Sequence, residues 1–279
     1  MQQLLRGLHA HAWPVRYLHT RYAALEKWLI LRRAFPAERL PLPDFLGIGA
    51  PKAGTTWLYQ NLLAHPDIYF PRYKEQHYFD RHYDASLLLY ASRYWRGRGK
   101  VKGDITPAYS ILPVERIRFI RRIMPGVRLI YILRNPIERA WSEAMHNLLR
   151  KDHKRQLEQV PPDEIIATLN SEAVVRRSEY LTNLDNWLSV FPPEQLYITF
   201  YERIQAEPRA LLQDVFAHIG VRADVDWAAF PADLEFNVNP RTAIPPQCLA
   251  LLQERYCPLI EQLHERFGAP VASWRCSPG

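Results

Sequence analysis

The chain has 279 residues, 48% of them hydrophobic, and a formal net charge of +7. That supports one large globular domain or two small ones, and the absence of any run of about 18 apolar residues excludes a membrane-spanning helix. The positive balance points to an anionic partner without choosing among nucleic acid, anionic lipid and a polyanionic small molecule.

Residues 1–43 are basic and aromatic. Across 15–35, Tyr17, Leu18, Ala24, Leu25, Trp28, Leu29 and Leu31 recur at helical spacing, punctuated by Arg21, Lys27, Arg32 and Arg33. The pattern predicts a helix, read first as packing on the core and otherwise as a face for a membrane surface or a partner. Pro36, Pro41 and Pro43 end it, so 1–43 is an extension and 44–279 the main domain. Arg6 and Gly7 follow Leu4 and Leu5 at once, unlike a signal peptide, and Cys248, Cys257 and Cys276 form no CxxC pair. Read as reduced thiols, the cysteines place the protein in the cytoplasm.

Phe45 to Ile48 is a strand apolar enough to be buried on both faces, and helical spacing resumes at Thr55. Between them lies a glycine-bearing turn. Backbone N–H groups there, with the positive end of a helix dipole, make a phosphate site to which Lys52, Thr55 and Thr56 add a charge and two hydroxyls. The nucleotide-triphosphate loop is nearly matched: Gly49 and Gly54 are correctly spaced, but Thr55 stands where the lysine belongs. A lysine displaced toward the strand suits a shorter anion whose reacting bond lies just beyond the first phosphate.

Further along, 68–70 reads as a short strand leading into Lys74-Glu-Gln-His-Tyr-Phe-Asp80. Residues 86–95 read as helix, 100–106 as a strand ending at Thr106-Pro107, and 113–123 as a helix with a proline in its first turn. A clean apolar strand at 127–133 runs into Arg134-Asn135-Pro136 and a helix to about 150. Strand, turn and helix therefore recur, which predicts a parallel sheet with helices on its faces. Residues 151–160 are a charged excursion, 171–190 one helix, 195–200 a third strand, 208–219 a helix closed by Gly220, and 246–267 a final helix. An arginine at the carboxyl end of a parallel strand sits where open α/β sheets bind ligands, and a guanidinium grips phosphate through two parallel bonds. Ser142, eight residues after Arg134, adds a hydroxyl on the following helix.

Pro51-Lys-Ala-Gly-Thr-Thr-Trp-Leu58 resembles the 5′-phosphosulfate loop of sulfotransferases that use 3′-phosphoadenosine-5′-phosphosulfate (PAPS), and Arg134 with Ser142 resembles their 3′-phosphate motif. Lys74 to Asp80 is similar to the Lys-Glu-Pro-His-Phe-Phe-Asp stretch of the heparan-sulfate branch, with Gln76 in place of proline. The resemblance implies a P-loop-like three-layer α/β/α fold around a central parallel β-sheet. It implies PAPS as co-substrate with no metal, bound by Lys52, Ala53, Gly54, Thr55, Thr56, Trp57, Arg134, Ser142, Tyr180 and a late-loop Arg241. It makes Lys52, Glu75 and His77 catalytic, with Glu75 as general base. Lys74, His77 and Asp80 fall on the acceptor side. So do Asp104, Thr106 and Tyr109, since Gly103 to Tyr109 resembles the family's Gly-Glu-x-Thr-Pro-x-Tyr segment. Many glycan-acting members carry a lysine where Ile105 stands, which argues against a highly sulfated polysaccharide. The expected partner is a small-molecule, glycan or lipid acceptor and not nucleic acid, with peripheral membrane contact through 15–35 and an oligomeric state that the residues do not specify. Two rivals are weighed against this: a magnesium-dependent kinase, disfavoured by the missing Gly-Lys-Thr order, and an idle nucleotide or nucleic-acid binding module.

Overall fold

The computed structural model describes residues 12–149, 156–234, 236, 243–274 and 276. In chain order the elements are α1 (Ala12–Leu31), β1 (Phe45–Gly49), α2 (Thr55–Ala64), β2 (Ile68–Tyr69), α3 (Leu87–Ser92), β3 (Val101–Ile105) and α4 (Val114–Ile123). Then come β4 (Arg128–Leu133), α5 (Pro136–Leu149), α6 (Pro162–Leu169), α7 (Glu172–Ser178), α8 (Tyr180–Leu188), β5 (Leu196–Phe200), α9 (Tyr201–Ala206), α10 (Pro208–Ile219) and α11 (Pro246–Phe267). The strands form one sheet in the order β2-β3-β1-β4-β5, and every pairing is parallel. This is the three-layer α/β/α arrangement expected.

Strand β1 lies at the centre and is buried along its whole length, which explains why Phe45 to Gly49 contains no polar side chain. The chain leaves β1 toward β2 and later returns past it from β3 to β4. Right-handed crossovers put helices from opposite directions of travel on opposite faces. Accordingly the His65 ring after α2 packs on Phe216 of α10, with ring centres 4.8 Å apart, while α4 packs on α8. The carboxyl ends of β1 and β4 therefore open side by side at the switch point, where such sheets take ligands.

Three expectations change. The helix read across 171–190 is two, because Glu179 leaves helical geometry at ψ 63°. The Asn183 amide takes the Arg176 carbonyl at 2.9 Å, and the Ser178 hydroxyl is drawn to Arg139 at 2.9 Å. Among the described residues the N-terminal helix covers Ala12–Leu31 and stops at Leu31, with Arg33 in the left-handed region at φ 59°. The cysteines are not all reduced thiols: Cys257 and Cys276 form a disulfide with Cα atoms 5.9 Å apart, and Cys248 is free and buried.

The N-terminal helix is docked rather than loose. Its Glu26 is buried and accepts hydrogen bonds from the Leu87 amide at 2.7 Å, the Leu88 amide at 3.1 Å and the Ser86 hydroxyl at 3.2 Å. Those are the free donors that open α3, so one carboxylate caps a helix N-terminus from another element.

Candidate active site

Strand β1 delivers the turn Ala50 to Gly54, and α2 starts at Thr55. Gly54 caps that helix at φ 87°, a left-handed conformation that glycine adopts without cost. A Cβ there would lie 2.2 Å from Ile204 Cδ1 of α9, so the turn is both left-handed and pressed against a neighbouring helix. Lys52 is also left-handed at φ 65°. From the end of β4, Arg134 donates to the Lys52 carbonyl at 3.1 Å, tying the two strand ends together. The Arg134 guanidinium lies 4.5 Å from the centre of the Tyr201 ring and 2.9 Å from Glu138.

Lys74 joins the turn from outside. Its ammonium donates to the Thr55 and Thr56 hydroxyls, each at 3.2 Å, and lies 3.5 Å from Glu75 Oε1. Lys52, Lys74 and Arg134 thus converge on one loop. Burial, and then the charge of Arg134, hold the Lys52 ammonium below its ordinary value; Glu143 opposes them, and Lys74 adds a smaller push in the same direction as Arg134. Burial also lowers Lys74, with Glu75 opposing. Crowded cations that weaken each other's protonation favour an anion between them.

Beside Lys74 lies a three-member ionic relay. Glu75 Oε2 is 3.0 Å from His77 Nε2, and Asp80 Oδ2 is 2.8 Å from His77 Nδ1. Hydrogen bonds to Asp80 and then Glu75 outweigh burial and push His77 up to about 9. Burial raises the Glu75 carboxyl, but the His77 hydrogen bond and the Lys74 charge exceed it and leave Glu75 below its usual range. A carboxylate so held is ionised near neutrality and fixed in direction.

Several expected contact residues are supports instead. Asp104, Thr106 and Tyr109 are fully buried and cannot touch an acceptor in this arrangement. Asp104 accepts from Thr106 at 2.6 Å, Tyr90 at 2.8 Å and Tyr109 at 3.0 Å, and burial pushes its carboxyl up to about 6. Thr106 Oγ1 in turn accepts the Gln76 amide at 3.0 Å, and Tyr109 the Tyr78 amide at 3.0 Å. The trio braces the loop that carries Glu75. Tyr180 is buried too, donating at 2.8 Å to the Arg134 carbonyl, so it positions the arginine's strand end instead of exposing its ring to a base. Trp57 is 3% exposed and donates to the Ala232 carbonyl at 2.8 Å, a core residue with no open face for stacking. Lys74 was expected on the acceptor side, and its ammonium lies on the hydroxyls of Thr55 and Thr56. Ser142 is half-buried on α5, and Arg241 lies outside the described residues.

The sequence reading missed Tyr201, whose ring meets Arg134 only through the fold. It also missed Arg139, fully buried and paired with Glu143, which pairs with Arg177 as well. The spacing of Arg139 and Glu143, one turn apart on α5, was the available signal. Among the described residues no group of three or more His, Cys, Asp or Glu side chains is placed to hold a metal ion.

A sequence profile described as the sulfotransferase domain matches residues 42–230, more than half of the chain. The chain therefore belongs to the sulfotransferase family: it is a transferase of the sulfotransferase class, with PAPS as co-substrate. Heparan sulfate glucosamine 3-O-sulfotransferase 6 of Mus musculus is 27% identical, covering 80% of this chain and 67% of that protein. Membrane-associated sulfotransferase kil1 of Dictyostelium discoideum is 23% identical, covering 68% of this chain and 58% of that protein. A sulfotransferase from Alicyclobacillus acidocaldarius superposes with a TM-score of 0.65 at 24% identity, covering 84% of this chain and 99% of that one, which shows the shared fold. These relatives overturn the cytoplasmic assignment, since one is named as membrane-associated and another as acting on heparan sulfate. The Cys257–Cys276 disulfide removes its other basis, because such bonds persist in oxidising compartments.

Proposed function

We propose that the chain transfers the sulfuryl group of PAPS to an acceptor hydroxyl, with an amine as the second choice, giving 3′,5′-adenosine bisphosphate and a sulfated product. The carrying observation is the convergence of Lys52, Lys74 and Arg134 on the Ala50–Gly54 turn, with Glu75 3.5 Å from Lys74. PAPS supplies the activated sulfuryl group; the remaining roles belong to this chain. The turn amides of Ala53 and Gly54 and the hydroxyls of Thr55 and Thr56 would bind its 5′-phosphate, where their dipoles cost no reorganisation. Lys52 would stabilise the bridging oxygen as that bond breaks, and Lys74, already on the two threonines, would neutralise the sulfuryl oxygens. Arg134 and Ser142 would hold the 3′-phosphate, which takes Glu138's place on the guanidinium, with Arg241 as the late-loop partner. Glu75 would accept the acceptor's proton, and His77 and Asp80 keep it aimed. Attacking oxygen, sulfur and leaving oxygen lie in line, so catalysis is chiefly positioning and charge neutralisation.

The acceptor is a glycan, lipid or small molecule, and the heparan-sulfate relatives favour a sugar hydroxyl. Ile105 is fully buried, so that position presents no cation to an acceptor, and we read the acceptor as less anionic than a sulfated polysaccharide. The test pairs binding with turnover. In calorimetric titrations Arg134→Ala should lose at least about tenfold in affinity for 3′,5′-adenosine bisphosphate and little for adenosine 5′-phosphate. With labelled PAPS and any acceptor found by screening, Glu75→Gln should lower kcat at least about 10²-fold. Equal losses for both nucleotides would remove Arg134 from the 3′ site, and near-normal turnover in Glu75→Gln would move the base elsewhere.

A further inference from the structure

Soluble helices turn their apolar stripe inward. Helix α1 has a second one facing out. Among its described side chains Ala23, Glu26 and Ile30 are buried, while Tyr22, Leu25, Trp28 and Leu31, three apart, are each about half exposed or more, at 49%, 54%, 53% and 62%. The element capped by Glu26 continues the surface. On and just after α3, Leu88, Leu89 and Trp95 are 37%, 56% and 56% exposed. Most of the large hydrophobic side chains exposed among the described residues are therefore gathered on two elements joined by the Glu26 contacts.

Cations accompany them. Arg32, Arg33, Arg96 and Arg98 are all exposed. The Arg32 guanidinium lies 5.5 Å from the Trp28 ring centre, and that of Arg98 lies 4.4 Å from that of Trp95. Among the described residues none of the four is paired with a carboxylate. An indole under a guanidinium, beside leucines, is suited to the boundary between headgroups and acyl chains, where the ring sits at the polar edge and the charge meets phosphate.

We infer that the outward face of α1 and α3 is a docking surface for an anionic phospholipid bilayer. A second copy of the chain is a poor occupant, since a two-fold contact would bring the unpaired arginines of one face toward those of the other. Anionic headgroups complement them. The face does not span the bilayer, for among the described residues no helix is long and apolar enough to cross one. It adjoins the loop that carries Glu75, because Arg93, directly after α3, donates to the side-chain amide oxygen Oε1 of Gln76 at 2.8 Å.

The test is flotation of the full chain with vesicles of phosphatidylcholine alone or mixed with phosphatidylglycerol, read together with tryptophan emission. The expected result is binding and a blue shift with the anionic vesicles, and little with the neutral ones. Leu25→Glu, Trp28→Glu and Leu31→Glu combined should abolish flotation, and Arg32→Gln with Arg33→Gln should weaken it by about tenfold or more. Affinity for 3′,5′-adenosine bisphosphate should stay the same in both variants, which shows that they are folded. No flotation of the unmodified chain, or equal flotation of the triple-glutamate variant, overturns the inference. So does a stable dimer that the glutamates dissociate, since the face would then be a contact between copies.

Discussion

At neutral pH His77 is an imidazolium between two carboxylates, and this governs how the loop carrying Glu75 responds to pH. Its value is raised from 6.5 to about 9 in the folded chain. The stabilisation it contributes is therefore complete below about 6.5 and is lost as pH rises through about 9. Glu75 and Asp80, both lowered, contribute in the opposite sense and lose their share as pH falls into the acid range. Thermal-shift midpoints of the unmodified chain should drop between neutral pH and pH 9–10, and His77→Gln should flatten that drop; an unchanged slope would mean that the imidazole is not the titrating group. That Lys52, Glu75 and Arg134 lie near one another could be expected from the sequence, because each belongs to a short local motif near an element's end. The placement of Lys74 could not be, because an ammonium on a long flexible stem takes its direction from whichever hydroxyls the fold brings near, here those of Thr55 and Thr56.

Helices α5 and α7 are joined through a buried ion pair, Arg139 with Glu143. Arg139 donates to the Ser178 hydroxyl at 2.9 Å and the Val174 carbonyl at 2.6 Å, and pairs with Glu143, itself paired with Arg177. Removing one member leaves the others unpaired in a buried site. Arg139→Ala should cost about 3–5 kcal/mol in urea unfolding, more than an exposed pair such as Arg176–Glu172, worth at most about 1 kcal/mol. Comparable losses at the two sites would show that the interior charges are hydrated. The same contacts explain why one long helix was predicted where α7 and α8 stand. Apolar spacing runs through 171–190 without a proline or glycine, and only the pull of Arg139 on Ser178 and of Asn183 on the Arg176 carbonyl reveals the break.

For the molecule as a whole, the repeated strand, turn and helix units made a parallel sheet readable, since parallel neighbours need helical crossovers. Strand order was not readable. That β1 lies between β3 and β4 depends on which helices cover which face, and no local pattern encodes it. The disulfide was hidden for a similar reason: Cys257 and Cys276 are 19 residues apart, and only the turn of the chain after α11 brings them together. It closes a loop for which chain entropy gives about 3 kcal/mol. Cys257→Ser should lower the unfolding free energy by about that much, and a reductant should have the same effect on the unmodified chain but none on the variant. Insensitivity of the unmodified chain to reductant would show that the two sulfurs are not bonded in solution.

Gly54 has no room for a side chain because Ile204, 150 residues later in the chain, occupies that space. The geometry of this turn is therefore not portable. Grafting Pro51 to Thr56 onto the strand–helix junction of another scaffold would transfer the lysine and the threonines. It would leave behind the wall that shapes the bend and the guanidinium that clasps the Lys52 carbonyl. An engineer who wants this grip on a foreign protein must move three distant stretches of chain at once.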